Sequence, residues 1–293
     1  MSLAIALVLL SALAHATWNL LAARGPGDSR AFLLAYSLVG AVAVLPVAGV
    51  SLASASDPGA VLRQALVLGV VSGLLHTAYA VSLQVSYRHG DVGIVYPVSR
   101  GTGPLLAVLA GAWVASEAPS PLGWAGIACV LAGVLLAASD QPGDAGSRRR
   151  GVRAGVVGGL VVGLTIGAYT VWDDHAVDAR GADPLAYYAV TGLVQLLVVL
   201  AVAGRGRVSR ARDAARTAPL TVLGVGVLVP LSYLLMLFAM TLAPLAVIAP
   251  LRASSVVMGA LGAAVLMHEG SPARRLAAAA VVTAGIALIG WGA

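Results

Sequence analysis

The sequence PLAYYAVTGLVQLLVVLAVA, residues 184–203, runs for twenty residues without a charged side chain. It is followed at once by GRGRVSRARDAAR, residues 204–216, which holds five arginines. An α-helix needs about 20 apolar residues to cross a bilayer, and basic residues gather beside such helices on the cytoplasmic side. This pairing predicts a membrane-spanning helix next to a basic loop. Its recurrence along the chain decides the fold class.

The composition extends that interpretation to the whole chain. Of its 293 residues, 59% are hydrophobic and only 10% are charged, which is too little charge to cover a water-soluble domain of this length. All 18 basic residues are arginines, mostly at the ends of apolar segments, which is typical of membrane topology rather than of a nucleic-acid surface. A single cysteine, Cys129, excludes an intrachain disulfide. The sequence predicts a multi-pass protein of the cell membrane, in contact with lipid and without a nucleic-acid partner.

Apolar segments of spanning length recur ten times, separated by stretches rich in glycine, proline and arginine. No basic region precedes the first, so we expect a retained helix rather than a cleaved signal peptide. The predicted spanning segments are 2–22, 31–50, 64–86, 92–115, 121–139, 154–172, 184–203, 217–241, 244–267 and 276–292.

The two halves of the chain resemble each other. A shift of 152 residues places Arg100 over Arg252, and a shift of 154 places Trp18 over Trp172. Rare residues in a constant order indicate a repeat. Because each half has five spans, the second copy must be inverted, as in many secondary transporters. We therefore predict an all-α polytopic membrane protein of ten transmembrane helices in two inverted five-helix repeats. Its parts are an N-terminal repeat (1–139), a cytoplasmic linker (140–153) and a C-terminal repeat (154–293). Further matched pairs are Tyr36 with Tyr188, Tyr79 with Tyr233, and Glu117 with Glu269.

The arginines also predict an orientation. Fourteen lie in loops that follow odd-numbered segments and two in loops on the opposite side. This positive-inside bias places the odd-numbered loops in the cytoplasm and both termini outside.

Two arginines, Arg100 and Arg252, lie inside predicted spans, each shortly after a proline. A guanidinium about 12 Å deep is costly, so it should face the bundle interior or a wet cavity. Functionally, its planar fork could bind an anionic substrate group. A structural role, such as bonding carbonyls freed by the proline, is an equally good interpretation.

Other polar and aromatic residues within the spans are candidates for a transport path. The candidate substrate-binding walls are Trp18, Asn19, Tyr79, Tyr96, Tyr169 and Tyr233, although core packing explains each tyrosine equally well. Three residues are candidates for proton coupling, namely His15, His76 and Asp173. We expect segments one, three, four, six, eight and nine to enclose a cavity, since they carry these residues. Segments five and ten should pack peripherally.

Enzyme signatures are absent from the sequence, which has no metalloprotease, nucleophile-elbow or phosphate-loop motif. We therefore expect a protein that is not an enzyme, with no cofactor and no metal, and any transport must run on gradients. The expected partner is a small-molecule substrate.

Several motifs resemble those of the drug/metabolite transporter superfamily, specifically its EamA-type ten-helix members. They are HATWN (residues 15–19), YPVSRGTGP (96–104), APLRAS (249–254) and the acids Glu117 and Glu269. The resemblance covers both halves. It implies a central cavity between the halves, alternating access by their rocking, and most often export of amino acids or other small metabolites.

Together these patterns favour a secondary transporter of a small polar metabolite, an amino acid or another anionic compound, because the deepest charges are positive. The alternative is efflux of a cationic aromatic drug or quaternary amine, held by Trp18, Tyr79, Tyr233 and Asp173.

Overall fold

The computed structural model describes residues 1–22, 25, 29–89, 92–114, 119–138, 148–202, 204, 206–267 and 272–292. Within these residues the chain forms eleven α-helices, one short π-helical segment and no β-strand. The α-helices are α1 (Ser2–Ala22), α2 (Ser29–Ser54), α3 (Pro58–His89), α4 (Val92–Val114), α5 (Pro121–Ala138), α6 (Arg148–Asp174), α7 (Pro184–Val202), α8 (Arg207–Thr217), α9 (Pro219–Met240), α10 (Leu245–Met267) and α11 (Pro272–Gly292). The π-helical segment, His175–Ala179, directly continues α6.

Each predicted spanning segment coincides with one α-helix, with ends that differ by a few residues. The basic stretch after 184–203 is an exception to the predicted loops, because it folds as α8. Arginine and alanine are strong helix formers, and Ala211 and Ala214 are buried, with α8 packed on α2 and α9. Similarly, α6 begins at Arg148, so the end of the predicted linker 140–153 is helical. Residues 139–147 lie outside the described part of the chain.

Six of the described helices are long and apolar enough to cross a membrane. Those candidate spans lie in α1, α2, α3, α6, α7 and α9. Shorter apolar stretches lie in α5, α10 and α11, at Pro121–Gly133, Leu245–Gly259 and Ala277–Ile289. The protein is therefore an all-helical membrane protein with several candidate spans.

Prolines determine where many of the helices begin. Five of them occupy the first position of a helix, where a missing N–H costs nothing and a fixed φ favours the helical turn. They are Pro58, Pro121, Pro184, Pro219 and Pro272. Prolines also lie in helix interiors, among them Pro46 in α2, Pro230 in α9 and Pro250 in α10. There, each proline removes one backbone hydrogen bond.

Small residues set the closest helix crossings. In the α5–α11 pair, a Cβ added to Gly126 would lie 2.7 Å from the carbonyl oxygen of Gly285, and a Cβ at Gly285 would lie 2.7 Å from that of Gly126. A side chain at either position would push the helices apart. Close backbone approach through small residues is how helices associate in a membrane, where lipid is as apolar as the side chains.

One end of the bundle is tightly packed. Its buried cluster joins the beginning of α1, through Val8, to the π-helical segment, through Val177, and to the end of α9, through Met240. The beginning of α10 completes it, with Leu245 almost fully buried. The bundle is therefore sealed at the end where α1 begins and α6 ends. A large cavity lies deeper in the bundle and extends toward the opposite end.

Candidate functional site

A cavity with a volume of about 380 Å³ lies among the helices of the described part of the chain. Side chains from α1, α2, α3, α4, α6, α7, α9 and α10 line it. It extends along α2 as far as Leu33 and along α7 as far as Val202, toward the end of the bundle that carries α8. A site of this size matches the lower range of small-molecule pockets.

Four basic side chains line the cavity: His15, His76, Arg100 and Arg252. The same His15, Arg100 and Arg252 also border a narrow adjoining space of about 40 Å³. No acidic side chain is found among the described residues that line either space. The basic groups of these walls favour a ligand that carries negative charge.

The two arginines are held by different neighbours. Arg100 donates from Nη2 to the hydroxyl of Tyr79 at 3.3 Å. Arg252 lies over the ring of Tyr233, with 5.1 Å between its Cζ and the ring centroid, and its Nη1 contacts the sulfur of Met236. The guanidinium of Arg252 has five N–H donors, and these contacts engage only some of them. Arg252 therefore keeps donors that could meet a carboxylate or phosphate in the cavity.

Aromatic rings form part of the walls, together with aliphatic side chains and glycines. His76 stacks on Tyr169 at 4.1 Å between centroids, and Tyr79 meets the same Tyr169 edge-on at 5.6 Å. On the first helix, Trp18 meets His15 edge-on at 4.9 Å. These contacts place aromatic rings against one another in the wall, beside the basic groups of the cavity.

Asp173 lies behind this wall rather than in the cavity. Its side chain is fully buried and accepts hydrogen bonds from three hydroxyl groups on three other helices. These are Ser72 Oγ of α3 at 2.6 Å and Tyr187 OH of α7 at 2.5 Å, both to Oδ1, and Tyr233 OH of α9 to Oδ2. The carboxylate therefore ties α6 to three helices near the sealed end.

The predicted site residues are mostly brought together. Trp18, Tyr79, Tyr169, Tyr233, Arg100 and Arg252 all line the large cavity, as do His15 and His76. Asn19 does not, since it is exposed and its amide donates to the His15 carbonyl one turn earlier at 2.7 Å. The side chain of Tyr96 and the whole of Glu117 and Glu269 lie outside the described part of the chain.

Segments one, three, four, six, eight and nine were expected to enclose the cavity, and the helices they form, α1, α3, α4, α6, α9 and α10, all line it. Helices α2 and α7 also line it, through residues such as Tyr36, Gly40, Tyr188 and Gln195. The prediction counted polar residues within spans, whereas much of this wall is apolar or glycine. Helices α5 and α11 contribute no residue to the described lining, as expected for peripheral helices.

Tyr36, Tyr187, Tyr188 and Ser72 were not predicted as site residues. Tyr36 and Tyr188 carried a signal, because they are repeat-matched tyrosines inside spans. Ser72 and Tyr187 carried none, because a single hydroxyl in an apolar helix indicates no particular partner.

Comparison with known proteins gives two findings. Residues 153–291 match the model of the EamA-like transporter family. A crystal structure of another protein, 18% identical in sequence, superposes with a TM-score of 0.78 and covers 98% of this chain and 96% of its own. At that identity the likeness concerns the fold. No curated protein matches the sequence.

Proposed function

We propose that this chain, whose residues 153–291 match the model of the EamA-like transporter family, is a gradient-driven transporter that exports a small anionic metabolite. The proposed substrate class is an amino acid or another carboxylate. The observation that carries the proposal is the charge of the cavity. His15, His76, Arg100 and Arg252 line it, while the described lining contains no acid.

The substrate's acidic group would lie between Arg100 and Arg252, which both border the narrow space next to the main cavity. A planar guanidinium can hold a carboxylate through two parallel hydrogen bonds. The rest of the substrate would lie against the tyrosines of the main cavity. Since the cavity extends toward the arginine-rich end of the bundle, which the charge bias assigns to the cytoplasm, it is placed to load a cytosolic metabolite.

Alternating access requires two halves that can exchange roles, and helix packing supports an inverted repeat of ten spans. In the predicted repeat, α1 corresponds to α6, α2 to α7, α3 to α9 and α4 to α10. Exchange of the halves therefore converts the pair α1–α9 into α6–α3 and the pair α3–α7 into α9–α2. All four pairs pack together. Likewise, α1–α10 and α4–α6 are both packed pairs.

The crossing of α5 and α11 supports inversion in particular. A Cβ at Gly126 would meet Gly285, and one at Gly133 would meet Ala278. The shift of 152 residues converts the first contact into the second. Contact positions rise along α5 as they fall along α11, so the two repeat-equivalent helices run antiparallel. A two-fold axis in the membrane plane produces antiparallel partners, whereas an axis along the membrane normal would make them parallel.

Efflux of a cationic aromatic compound is the second candidate, and the aromatic walls are the observation that favours it. In that case Asp173 should meet the cation. Instead, its carboxylate is fully buried and already accepts three hydrogen bonds. This placement counts against the second candidate.

A ligand-stability screen separates the two candidates. Purified protein in detergent is heated with L-glutamate, succinate, choline or tetraphenylphosphonium. We expect the carboxylates alone to raise the melting temperature, since a ligand at 100 times its Kd stabilises by about 2.7 kcal/mol. Arg252→Lys should reduce the shift and Arg63→Lys, at an exposed position, should keep it. Stabilisation by the cations alone would contradict the proposal.

A further inference from the structure

His76 and Asp173 form a pair that lies between the cavity and the sealed end of the bundle. The imidazole lines the cavity and stacks on Tyr169, while its Nε2 lies 3.8 Å from Oδ2 of Asp173. The imidazole is 11% exposed and the carboxylate is fully buried. A buried carboxylate within a spanning segment is costly unless a cation or a proton compensates its charge.

The hydrogen bonds of His76 determine which of its nitrogens carries a proton. Its Nδ1 lies 3.0 Å from the backbone carbonyl of Ser72. A carbonyl oxygen only accepts, so Nδ1 must donate. The Ser72 hydroxyl is 3.3 Å from the same nitrogen, but it donates to Asp173. In a neutral imidazole, Nε2 therefore carries a lone pair.

This arrangement leaves a place for one proton. Nε2 is buried and has no hydrogen-bond partner within the described residues, and it lies 3.8 Å from a carboxylate oxygen. In the neutral imidazole, a lone pair would face an ionised carboxylate, and the two would repel. A proton on Nε2 converts them into an imidazolium–carboxylate pair, which supplies the cation that the buried charge lacks.

We propose that His76 and Asp173 together bind the proton that is coupled to transport. This inference rests on the proposed function, since it names the coupling ion of that transporter. Uptake forms an N–H bond at Nε2 with a proton from hydronium in the cavity, and water remains. Release breaks that bond and returns the proton to water on the other side of the membrane.

The position of Asp173 links protonation of the pair to the packing of the helices at the sealed end. Its carboxylate is held by hydroxyls from α3, α7 and α9, and its two oxygens accept all three bonds. Bonds to an ionised carboxylate are roughly twice as strong as those to a neutral group. Transfer of the proton from His76 onto Asp173 would weaken all three contacts at once and loosen the sealed end.

Other titratable and charged groups surround the pair. Tyr169 of α6 stacks on His76, while Tyr187 of α7 and Tyr233 of α9 bond to Asp173. Arg252 of α10 lies over the Tyr233 ring. The tyrosines are neutral donors near neutral pH. Arg252 is a fixed cation whose contacts are with Tyr233 and Met236 rather than with the carboxylate.

The first test observes the proton directly and needs no substrate. Wild-type protein labelled with ¹⁵N-histidine is placed in lipid bilayers and followed by solid-state NMR between pH 5 and pH 8, the range in which histidine normally titrates. The His76 signal is assigned by its loss in His76→Gln. We expect both of its nitrogens to be protonated at the acid end and Nε2 to lose its proton as the pH rises. In Asp173→Asn the protonated form should recede to lower pH.

His89 is a matched control for this experiment. It lies on the same helix, and its Nδ1 makes the same bond to the carbonyl four residues earlier, but its side chain is exposed and its described contacts include no carboxylate. Its signals should be the same with and without Asp173→Asn. A His76 that stays neutral throughout the range, or that titrates identically in Asp173→Asn, overturns the inference even if neither variant folds as well as the wild type.

The second test measures coupling. Proteoliposomes with an internal pH dye receive a gradient of L-glutamate or succinate, and radiolabelled substrate and proton movement are followed together. We expect proton flux with wild type, His89→Gln and Asp178→Asn, and its loss in His76→Gln and Asp173→Asn. Substrate movement without proton flux in the wild type overturns the coupling. If neither acid moves, the proposed function fails for these acids, and the NMR result still decides whether the proton site exists.

Discussion

The carboxylate of Asp173 offers a quantitative test of how the sealed end is held. Tyr187→Phe removes one hydroxyl that donates to Oδ1 at 2.5 Å. The ring is fully buried, so phenylalanine keeps its packing. A hydrogen bond to a charged group contributes about 1.5–3 kcal/mol in soluble proteins, but hydrogen bonds between membrane helices average about 0.6 and reach about 1.7 kcal/mol. We expect Tyr187→Phe to lower the free energy of unfolding by about 1–2 kcal/mol.

A double-mutant cycle shows whether that loss belongs to the contact with Asp173. In the Asp173→Asn background the acceptor is neutral, so Tyr187→Phe should cost about half as much. Unfolding is measured by titration with SDS in mixed micelles. Tyr188→Phe, at the next position of α7, is the control. Its ring stacks on Tyr233, and we expect almost no change. An equal loss with and without the Asp173 carboxylate would refute the idea that this charge holds the helices together.

Two further predictions concern topology and packing. With Cys129 replaced by alanine, Val208→Cys on α8 should react in intact cells only with a membrane-permeant thiol reagent; ready labelling by an impermeant one would reverse the orientation. Gly285→Ala should destabilise the protein by about 1–3 kcal/mol, since its Cβ would lie 2.7 Å from the Gly126 carbonyl. Gly49→Ala is the control, because a Cβ there meets nothing within 4 Å, and it should stabilise the protein by up to about 1 kcal/mol. A similar effect of both changes on the free energy of unfolding would contradict the packing argument.

Much of the helix pattern was predictable from the sequence, because length, apolar content and helix-starting prolines act locally. The same holds for Arg100 and Arg252, since a charge inside a span must reach water or a partner wherever the helix packs. The helix α8 was not predicted, because the prediction relied on long apolar segments. The eleven residues of α8 are polar apart from a few alanines and a valine.

Other site features depend on packing between helices that are distant in sequence. The expectation for Asn19 rested on its sharing a helical face with Trp18. A polar amide near a helix end, however, can satisfy itself on its own backbone, as Asn19 does on the carbonyl of His15. The three donors to Asp173 come from positions as distant as Ser72 and Tyr233. Nothing in either local sequence indicates that they share one acceptor.

A transport assay of variants of the two cavity arginines tests the proposed anion site most directly. Proteoliposomes containing wild-type protein should exchange radiolabelled L-glutamate or succinate across the membrane. The double variant Arg100→Lys/Arg252→Lys keeps both charges but loses the bidentate fork, and we expect exchange to fall to background. The control Arg63→Lys/Arg180→Lys alters two exposed arginines outside the cavity lining and should exchange like the wild type. Undiminished exchange by the Arg100→Lys/Arg252→Lys variant would contradict an anion site between these two arginines.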